Sequence, residues 1–463
     1  MNLLKLIELE KTRMPKFYIK TYGCQMNERD SEAMAALLKA NGYTETHQEE
    51  DADVYFMNTC SVREQAERKA IGKMGIMKRI LRKKPNMIFG IVGCMVQRLG
   101  KELFKQLPHV HFLIGTNQFQ QLPAIIKRVQ NGENHIIATD IDLKSYPELN
   151  GHCAKDIFGM ISIIHGCDQF CTYCIVPYTR GRENSRSIPS IIDEAKRMVE
   201  HGTKEILLLG QNVTAYGVSE AKCQKNYNPE HSYFADLLIE MNKIDGLERI
   251  RFTSPHIKYM NQHFMETACS LPKLCKAFHV PLQSGSNRLL KKMNRGYTIE
   301  EYMHRIHTMK ELCPELVFTT DVIVGFCGET DEEFNQTRSI LNQVGFDMSY
   351  IFRYSPREGT TSAKSFADDV PEEVKYERNQ ILLKDLSDRV EILNQSYQGR
   401  TLSILAEGVS KRNKERWAGR TDGNKICNFL PVDGLSVGDM IYVKIERTTA
   451  NSFYGSIVKK GKK

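Results

Sequence analysis

A chain of 463 residues, 41% of them hydrophobic and carrying a net charge of +8, is long enough to bury a large core and suits about three domains. No run of roughly 18 apolar residues occurs, which excludes a membrane-spanning helix, and the opening Met1 to Met14, with glutamates among its leucines and no small-residue cleavage site, makes a poor signal peptide. Thirteen cysteines, odd in number and scattered, fit a reducing cytoplasm and metal ligands better than disulfides.

In chain order, Met1 to Met14 reads as a short extra helix, or as the result of a start codon upstream of Met14. Lys16 to Tyr22 alternates as a strand and Ser31 to Asn41 reads as a helix. Asp53 to Asn58 is the next strand, followed by a helix from about Val62 to Lys84. Met87 to Gly93 is a third strand with a helix to about Leu107, and His111 to Ile114 with Leu122 to Val129 completes the series. Strands alternating with helices over this length predict a doubly wound parallel sheet in an amino-terminal domain over 15–137. Arg68 to Lys84 is basic without one acidic residue, a solvated face or a polyanion contact.

Cys24 follows the first of these strands, Cys60 the second and Cys94 the third, at intervals of 36 and 34 residues. The carboxyl ends of parallel strands share one edge, where ligands bind, so three distant cysteines are expected to converge on one crevice as a three-thiolate site. A zinc site lacking an obvious fourth ligand is the competing reading.

After a linker around Asp140 to Lys155, the buried strand Ile157 to Ile164 delivers His165-Gly166-Cys167-Asp168-Gln169-Phe170-Cys171-Thr172-Tyr173-Cys174. Three thiolates in the spacing C-x3-C-x2-C can hold three corners of a [4Fe-4S] cube and leave the fourth iron open for chemistry. The alternative is a cysteine-rich turn in which Phe170 and Tyr173 pack. Tyr178 to Arg186 then carries three arginines, which suit phosphates or a carboxylate at the mouth of such a site; solvated arginines on a helix-entry loop are the alternative. Further strands are expected at Glu205 to Leu209, Arg249 to Thr253, Ala277 to Leu282, Leu316 to Val324 and Met348 to Arg353. With the first they make an open (β/α)6 barrel over 153–393. Cys153, Cys223, Cys269, Cys275, Cys313 and Cys427 read as packing residues.

Glu372 to Leu393 is a helical connector. Beyond it, short alternating segments at Thr401 to Glu407, Arg416 to Thr421, Asn428 to Phe429, Met440 to Ile445 and Phe453 to Ile457 predict a five-stranded barrel over 396–463. Thirteen Lys and Arg against six Asp and Glu from Ser396 onward give this module +7, nearly the whole excess. With Trp417, Phe429 and Tyr442 it suits RNA; a barrel that only packs on the enzyme is the alternative.

Taken together, C-x3-C-x-aromatic-C, the stretches Gly23-Cys24-Gln25-Met26-Asn27, Asn58-Thr59-Cys60-Ser61 and Gly93-Cys94-Met95, and Gly419-Arg420-Thr421-Asp422-Gly423-Asn424-Lys425 resemble the radical S-adenosylmethionine (SAM) methylthiotransferases. Within them they resemble the MiaB-type tRNA methylthiotransferases, over nearly the whole chain from about Pro15. The resemblance implies an α/β fold: a doubly wound methylthiotransferase domain, a partial (β/α)6 radical SAM barrel and a TRAM β-barrel that holds tRNA. It implies two [4Fe-4S] clusters, one on Cys24, Cys60 and Cys94 for sulfur delivery and one on Cys167, Cys171 and Cys174 as the catalytic centre. There reduced iron splits SAM into methionine and a 5′-deoxyadenosyl radical, and a second SAM donates methyl. Tyr173 is implied near the adenine of SAM, with Gln211, Asn212, His279, Gln283 and Glu329 as pocket residues at strand ends. Ile257 and Cys327 stand where the family often has proline, which bears on loop stiffness only. The implied substrate is tRNA bearing isopentenyl-adenosine beside the anticodon. A sulfur source and an electron donor such as flavodoxin or ferredoxin are also implied, and a cytoplasmic monomer is expected. The same chemistry on threonylcarbamoyl-adenosine or a ribosomal-protein aspartate, and a non-catalytic iron–sulfur RNA-binding sensor, are the other readings.

Overall fold

The computed structural model describes residues 13–61, 64–140, 156–225 and 227–461. The expected helix at Met1 to Met14, apart from its last two residues, and all of the expected linker but Asp140 lie outside them, as does Cys153. Two compact units form. The first takes the amino-terminal residues with 165–168 and 174–183; the second takes 169–173, 184 onward and the strand before the cysteine loop.

In the first unit β1 (Lys16–Tyr22), β2 (Thr44–Glu45), β3 (Val54–Thr59), β4 (Ile88–Gly93), β5 (Phe112–Ile114) and β6 (Ile136–Ala138) form one sheet in the order β2-β1-β3-β4-β5-β6, parallel throughout. Alternate strand residues feed two cores. Phe17, Val54, Phe56 and Val92 pack with Met34, Leu38, Ile125 and Ile126, whereas Tyr55, Met57, Phe89 and Ile91 pack with Met74, Met77 and Val96. Both faces are therefore covered by helices, as a buried parallel sheet requires. Strands β2 and β6 escaped the sequence reading because two and three residues are too few to carry a period. The basic run lies on helix Glu64–Lys83, whose Ala70, Met74 and Met77 are buried while Arg68, Lys69, Lys78, Arg79, Arg82 and Lys83 are exposed, a solvated face.

In the second unit β7 (Phe158–Ser162) opens the barrel, and β8 (Ile164–His165) and β9 (Asn184–Ser185) bracket the cysteine loop in sequence. β10 (Glu205–Leu209) and β11 (Arg249–Phe252) join β7 in the order β11-β10-β7, and β12 (Ala277–His279), β13 (Val317–Val324) and β14 (Met348–Arg353) make a second parallel sheet. An isolated bridge joins Ile250 of β11 to Leu274, three residues before β12. All six expected strands form, as two three-stranded sheets rather than one continuous ladder.

Helix Glu372–Gln395 leads into a closed barrel of β15 (Thr401–Val409), β16 (Trp417–Thr421), β17 (Ile426–Phe429), β18 (Met440–Thr448) and β19 (Ser452–Lys460). Two expectations for it change. Phe429 is fully buried in the barrel core with Ile404, Val443 and Phe453, so it offers no face to a base, while Tyr442 is exposed. The Gly419 to Lys425 hairpin is occupied within the chain: Arg249 donates to the Arg420 and Ser403 carbonyls (2.6 and 3.0 Å), Arg251 to those of Thr421 and Asp422 (2.8 Å each), and the Lys276 N–H to Asp422 (2.7 Å). Glu205 and Arg249 open their strands, and Lys276 directly precedes β12. The hairpin thus fixes the small barrel to the strand edge opposite the one that carries the cysteine loop. Cys427, Cys275, Cys313 and Cys327 are buried and Cys269 is half-buried. Cys223 is exposed, against expectation, because the helix Val218–Cys223 ends there.

Candidate iron–sulfur centres

The order β2-β1-β3-β4-β5 reverses direction between β1 and β3, and in open parallel sheets ligands bind beyond the carboxyl ends of strands at such a switch. Tyr22 is level with Thr59, and Thr59 with Gly93, so the three strand ends lie in one row. Cys60 and Cys94 come immediately after Thr59 and Gly93, and Cys24 is separated from Tyr22 by Gly23 alone. Cys24 is the N-cap of helix Gln25–Ala40 and Cys94 opens helix Cys94–Leu99, positions where helix amides favour a thiolate.

The sulfurs of Cys24 and Cys60 are hydrogen-bonded. That bond, chiefly, pulls the Cys24 thiol down to about 6 against its desolvation; the Arg180 charge and the Asn27 and Met26 amides add to it. Burial instead raises the Cys94 thiol, opposed by the charge of Arg180 and a hydrogen bond from it. Arg180 donates to Asp30 at 2.8 Å in a pair about 4% exposed, so the cation beside these thiols is compensated by a carboxylate. Asn27 and Asn58 clamp the crevice: Asn27 Nδ2 donates to Asn58 Oδ1 (3.1 Å), and Asn58 Nδ2 donates to the Asn27 carbonyl (2.8 Å) and Ser31 Oγ (3.0 Å).

Gly93 has φ +97, and a Cβ there would lie 2.5 Å from Asn58 Oδ1 and 2.6 Å from the Thr59 carbonyl. Gly93→Ala must therefore strain the backbone by about 1–3 kcal/mol or push Asn58 aside, and either moves Cys94. After anaerobic reconstitution the iron content of this variant is expected to fall from about eight to about four per chain, with reductive SAM cleavage retained. Full iron content would contradict it.

The residues of the cysteine loop are fastened within each unit separately. Gly166 has φ +77, and a Cβ there would run into the Arg182 carbonyl; next to it the Cys167 N–H donates to the Gly181 carbonyl at 3.1 Å. In the second unit Thr172 donates from N to Met293 O (3.0 Å) and from Oγ1 to Lys292 O (3.0 Å), and Asn294 Nδ2 donates to the carbonyls of Gln169 and Phe170. Cys167 and Cys171 are buried and Cys174 is half-buried. Tyr173 meets Phe326 edge-on at 6.4 Å, next to Leu289, Met293 and Ile323. The arginines expected to face phosphates are otherwise engaged. Arg180 is buried against Asp30, Arg186 against Glu194 (2.6 Å) and the Ser162 carbonyl (3.0 Å), and the more exposed Arg182 pairs with Asp168 at 3.0 Å.

The strand-end residues separate. His279 stands between Thr319 (2.9 Å) and Asp321 (3.2 Å), with Tyr350 edge-on at 5.9 Å. Asn212 is buried and accepts from Thr214, and Gln211 is half-buried beside it. Gln283, at φ +66, bonds β13 through its backbone: its N–H donates to Asp321 O, and Ile323 N–H donates to its carbonyl. Glu329 is committed to structure, accepting from Gly325 N–H (2.6 Å) and Arg378 (2.7 Å) in a buried pair that fixes its own loop.

Sequence reasoning missed Arg295, whose buried guanidinium lies 3.2 Å from Cys171 Sγ, and gave no role to Asp30 or to Asn27 and Asn58, although the last two fall in stretches quoted above. One further group, His231, Asp236 and His263, brings three possible ligand atoms within 4.8 Å of one another. The Ser232 N–H occupies His263 Nδ1 (3.0 Å), leaving the proton of a neutral ring on the other nitrogen, and the two imidazoles stack at 4.7 Å. Stacked rings do not aim lone pairs at one point, so this is a hydrogen-bonded surface patch.

Three family models match in succession: Uncharacterized protein family UPF0004 over residues 16–115, Radical SAM superfamily over 161–341 and TRAM domain over 395–458. The tRNA-2-methylthio-N(6)-dimethylallyladenosine synthase of Opitutus terrae is 41% identical over 97% of this chain and 98% of its own length. The enzyme of the same name from Clostridium novyi is 42% identical over 96% of each. Among solved structures, the radical S-adenosylmethionine methyltransferase TsrM of Kitasatospora setae superposes with a TM-score of 0.56 at 12% identity, covering 76% of this chain and 77% of that one; this likeness is one of fold.

Proposed function

We propose that this chain, which belongs to the family of tRNA-2-methylthio-N(6)-dimethylallyladenosine synthases, adds a methylthio group to C2 of an N6-dimethylallyl (isopentenyl) adenosine next to the anticodon of tRNA. One observation carries the reading: two separate sets of three cysteines, neither joined by a fourth cysteine among the described residues, precede a small closed barrel in the same chain. Three thiolates per site suit [4Fe-4S] clusters that keep one iron open.

A [4Fe-4S] cluster on the loop, with SAM and an electron, would supply the radical chemistry needed at C2 of the adenine. Cys167, Cys171 and Cys174 hold that cluster, and the hydrogen bonds from Thr172 and Asn294 fix the loop against residues 292–294. Cys24, Cys60 and Cys94 would hold the second, which would supply sulfur chemistry, and the Asn27–Asn58 clamp keeps their strand ends together. On the side of β14 turned away from its helices, Met348, Tyr350 and Phe352 are exposed at alternate positions, and the His279–Asp321 pair stands beside Tyr350. A flat base with an apolar substituent matches that stripe. The anticodon loop already exposes its bases, which makes presenting one cheaper than opening a duplex.

The test is anaerobic incubation of the reconstituted protein with SAM, a low-potential donor and tRNA carrying dimethylallyl-adenosine, followed by mass spectrometry of the nucleosides. The expected result is methylthio-dimethylallyl-adenosine, with none from tRNA lacking the dimethylallyl group. Product only from threonylcarbamoyl-adenosine, or only from a ribosomal protein, moves the substrate while keeping the chemistry. Absence of SAM cleavage leaves an iron–sulfur protein that binds RNA.

A further inference from the structure

We infer that Arg295 is the built-in counter-cation of the loop cluster: a positioning residue that sets how readily this cluster accepts its electron. The inference rests on the reading of Cys167, Cys171 and Cys174 as cluster ligands.

Arg295 is 6% exposed. Its Nη1 lies 3.2 Å from Cys171 Sγ and 3.5 Å from the Tyr173 hydroxyl, and its Nε donates to the Tyr297 hydroxyl at 3.3 Å. The Tyr297 hydroxyl in turn donates to the carbonyls of Pro281 and Leu282, and the guanidinium lies 5.4 Å from the Tyr297 ring centroid. No carboxylate among the described residues pairs with Arg295, whose side chain meets the Cys171 sulfur and the hydroxyls of Tyr173 and Tyr297.

A buried guanidinium is retained where a negative charge meets it. Arg180 obtains that charge from Asp30; among the described residues the Arg295 side chain hydrogen-bonds to two phenols and a sulfur. A [4Fe-4S] cluster on three thiolates is negative and becomes more so on reduction, so the cation finds its counter-charge in the metal site. Placement is as specific as charge. Residues 292–294 are stitched to loop residues 169–172 by the hydrogen bonds of Thr172 and Asn294, so Arg295 reaches Cys171 along a chain segment already fastened to the loop.

A fixed cation beside a ligand sulfur stabilises the reduced form and raises the midpoint potential. The full-length Cys24/Cys60/Cys94→Ala protein, which keeps only the loop set, is the parent for the test. Arg295→Gln and Arg295→Lys are made in it, iron is counted, and each protein is titrated with mediators while the reduced-cluster signal is followed by electron paramagnetic resonance. In Arg295→Gln the reduced-to-oxidised ratio at a fixed potential is expected to fall at least tenfold, a shift of about 59 mV to more negative values for one electron. Arg295→Lys is expected to stay close to the parent. If the glutamine variant loads no iron and the lysine variant does, a positive charge is needed to assemble the site, which supports the inference. Equal potentials in the parent and the glutamine variant would overturn it, as would loss of iron in both variants, since shape rather than charge is then what matters. A parent that binds no iron refutes the cluster assignment itself and takes this inference with it.

Discussion

Replacing Cys24, Cys60 and Cys94 together by alanine is expected to give a protein that binds about four irons instead of about eight, still cleaves SAM, and yields no methylthio-nucleoside. Replacing Cys167, Cys171 and Cys174 is expected to leave the same number of irons but to abolish both SAM cleavage and product. This asymmetry follows from where each set sits. The first closes the row of strand ends at the switch between β1 and β3, braced by Asn27, Asn58 and the Arg180–Asp30 pair. The second rides on a loop held by Thr172 and Asn294 and accompanied by Arg295. Iron and sulfide analysis, 5′-deoxyadenosine release and nucleoside mass spectrometry on the three proteins read the partition directly. Product from the first variant, or SAM cleavage by the second, would sink the division of labour.

The second large effect is on stability. Glu205, with its side chain 4% exposed, receives Arg251 at 2.8 Å and has Arg249 at 3.8 Å, and both guanidiniums go on to donate to carbonyls of the carboxyl-terminal barrel. Removing the carboxylate leaves two buried cations facing each other, the situation in which losing one partner costs about 3–5 kcal/mol. Glu205→Ala is therefore expected to lower the urea midpoint sharply and to let trypsin release the barrel near residue 396. The control is Arg420→Ala, whose pair with Glu407 is 44% and 39% exposed; about 0–1 kcal/mol is expected there. Equal midpoints for the two variants would mean that the buried cluster does not hold the barrel.

This docking changes how the basic tail is read. The hairpin that carries the family resemblance in the tail is spent on intramolecular carbonyl–arginine bonds. The exposed faces are therefore the ones left for RNA. There Arg447 lies 4.0 Å over the Tyr454 ring, with Arg416 at 5.8 Å from it, and Tyr442 stands free of the core.

Much of the fold was legible in the residue pattern because its signals are local. Alternation marked β1, strand-like runs between helical stretches marked β3, β4 and the strands of the middle domain, and short alternating segments punctuated by glycine and Asp-Gly marked β15 to β19. The short loop spacing of Cys167, Cys171 and Cys174, and the recurrence of Cys24, Cys60 and Cys94 after successive strands, are also properties of sequence alone, since parallel strands must end on a common edge. What the sequence could not assign is which charges meet. Arg180, Arg182 and Arg186 look alike in a basic stretch, yet Asp30, Asp168 and Glu194 take one each. Arg295 meets Cys171 across 124 residues, and Arg251 reaches Asp422 across 171. Such partners are chosen by burial, which makes a charge intolerable until packing supplies its opposite, and packing belongs to the tertiary structure alone.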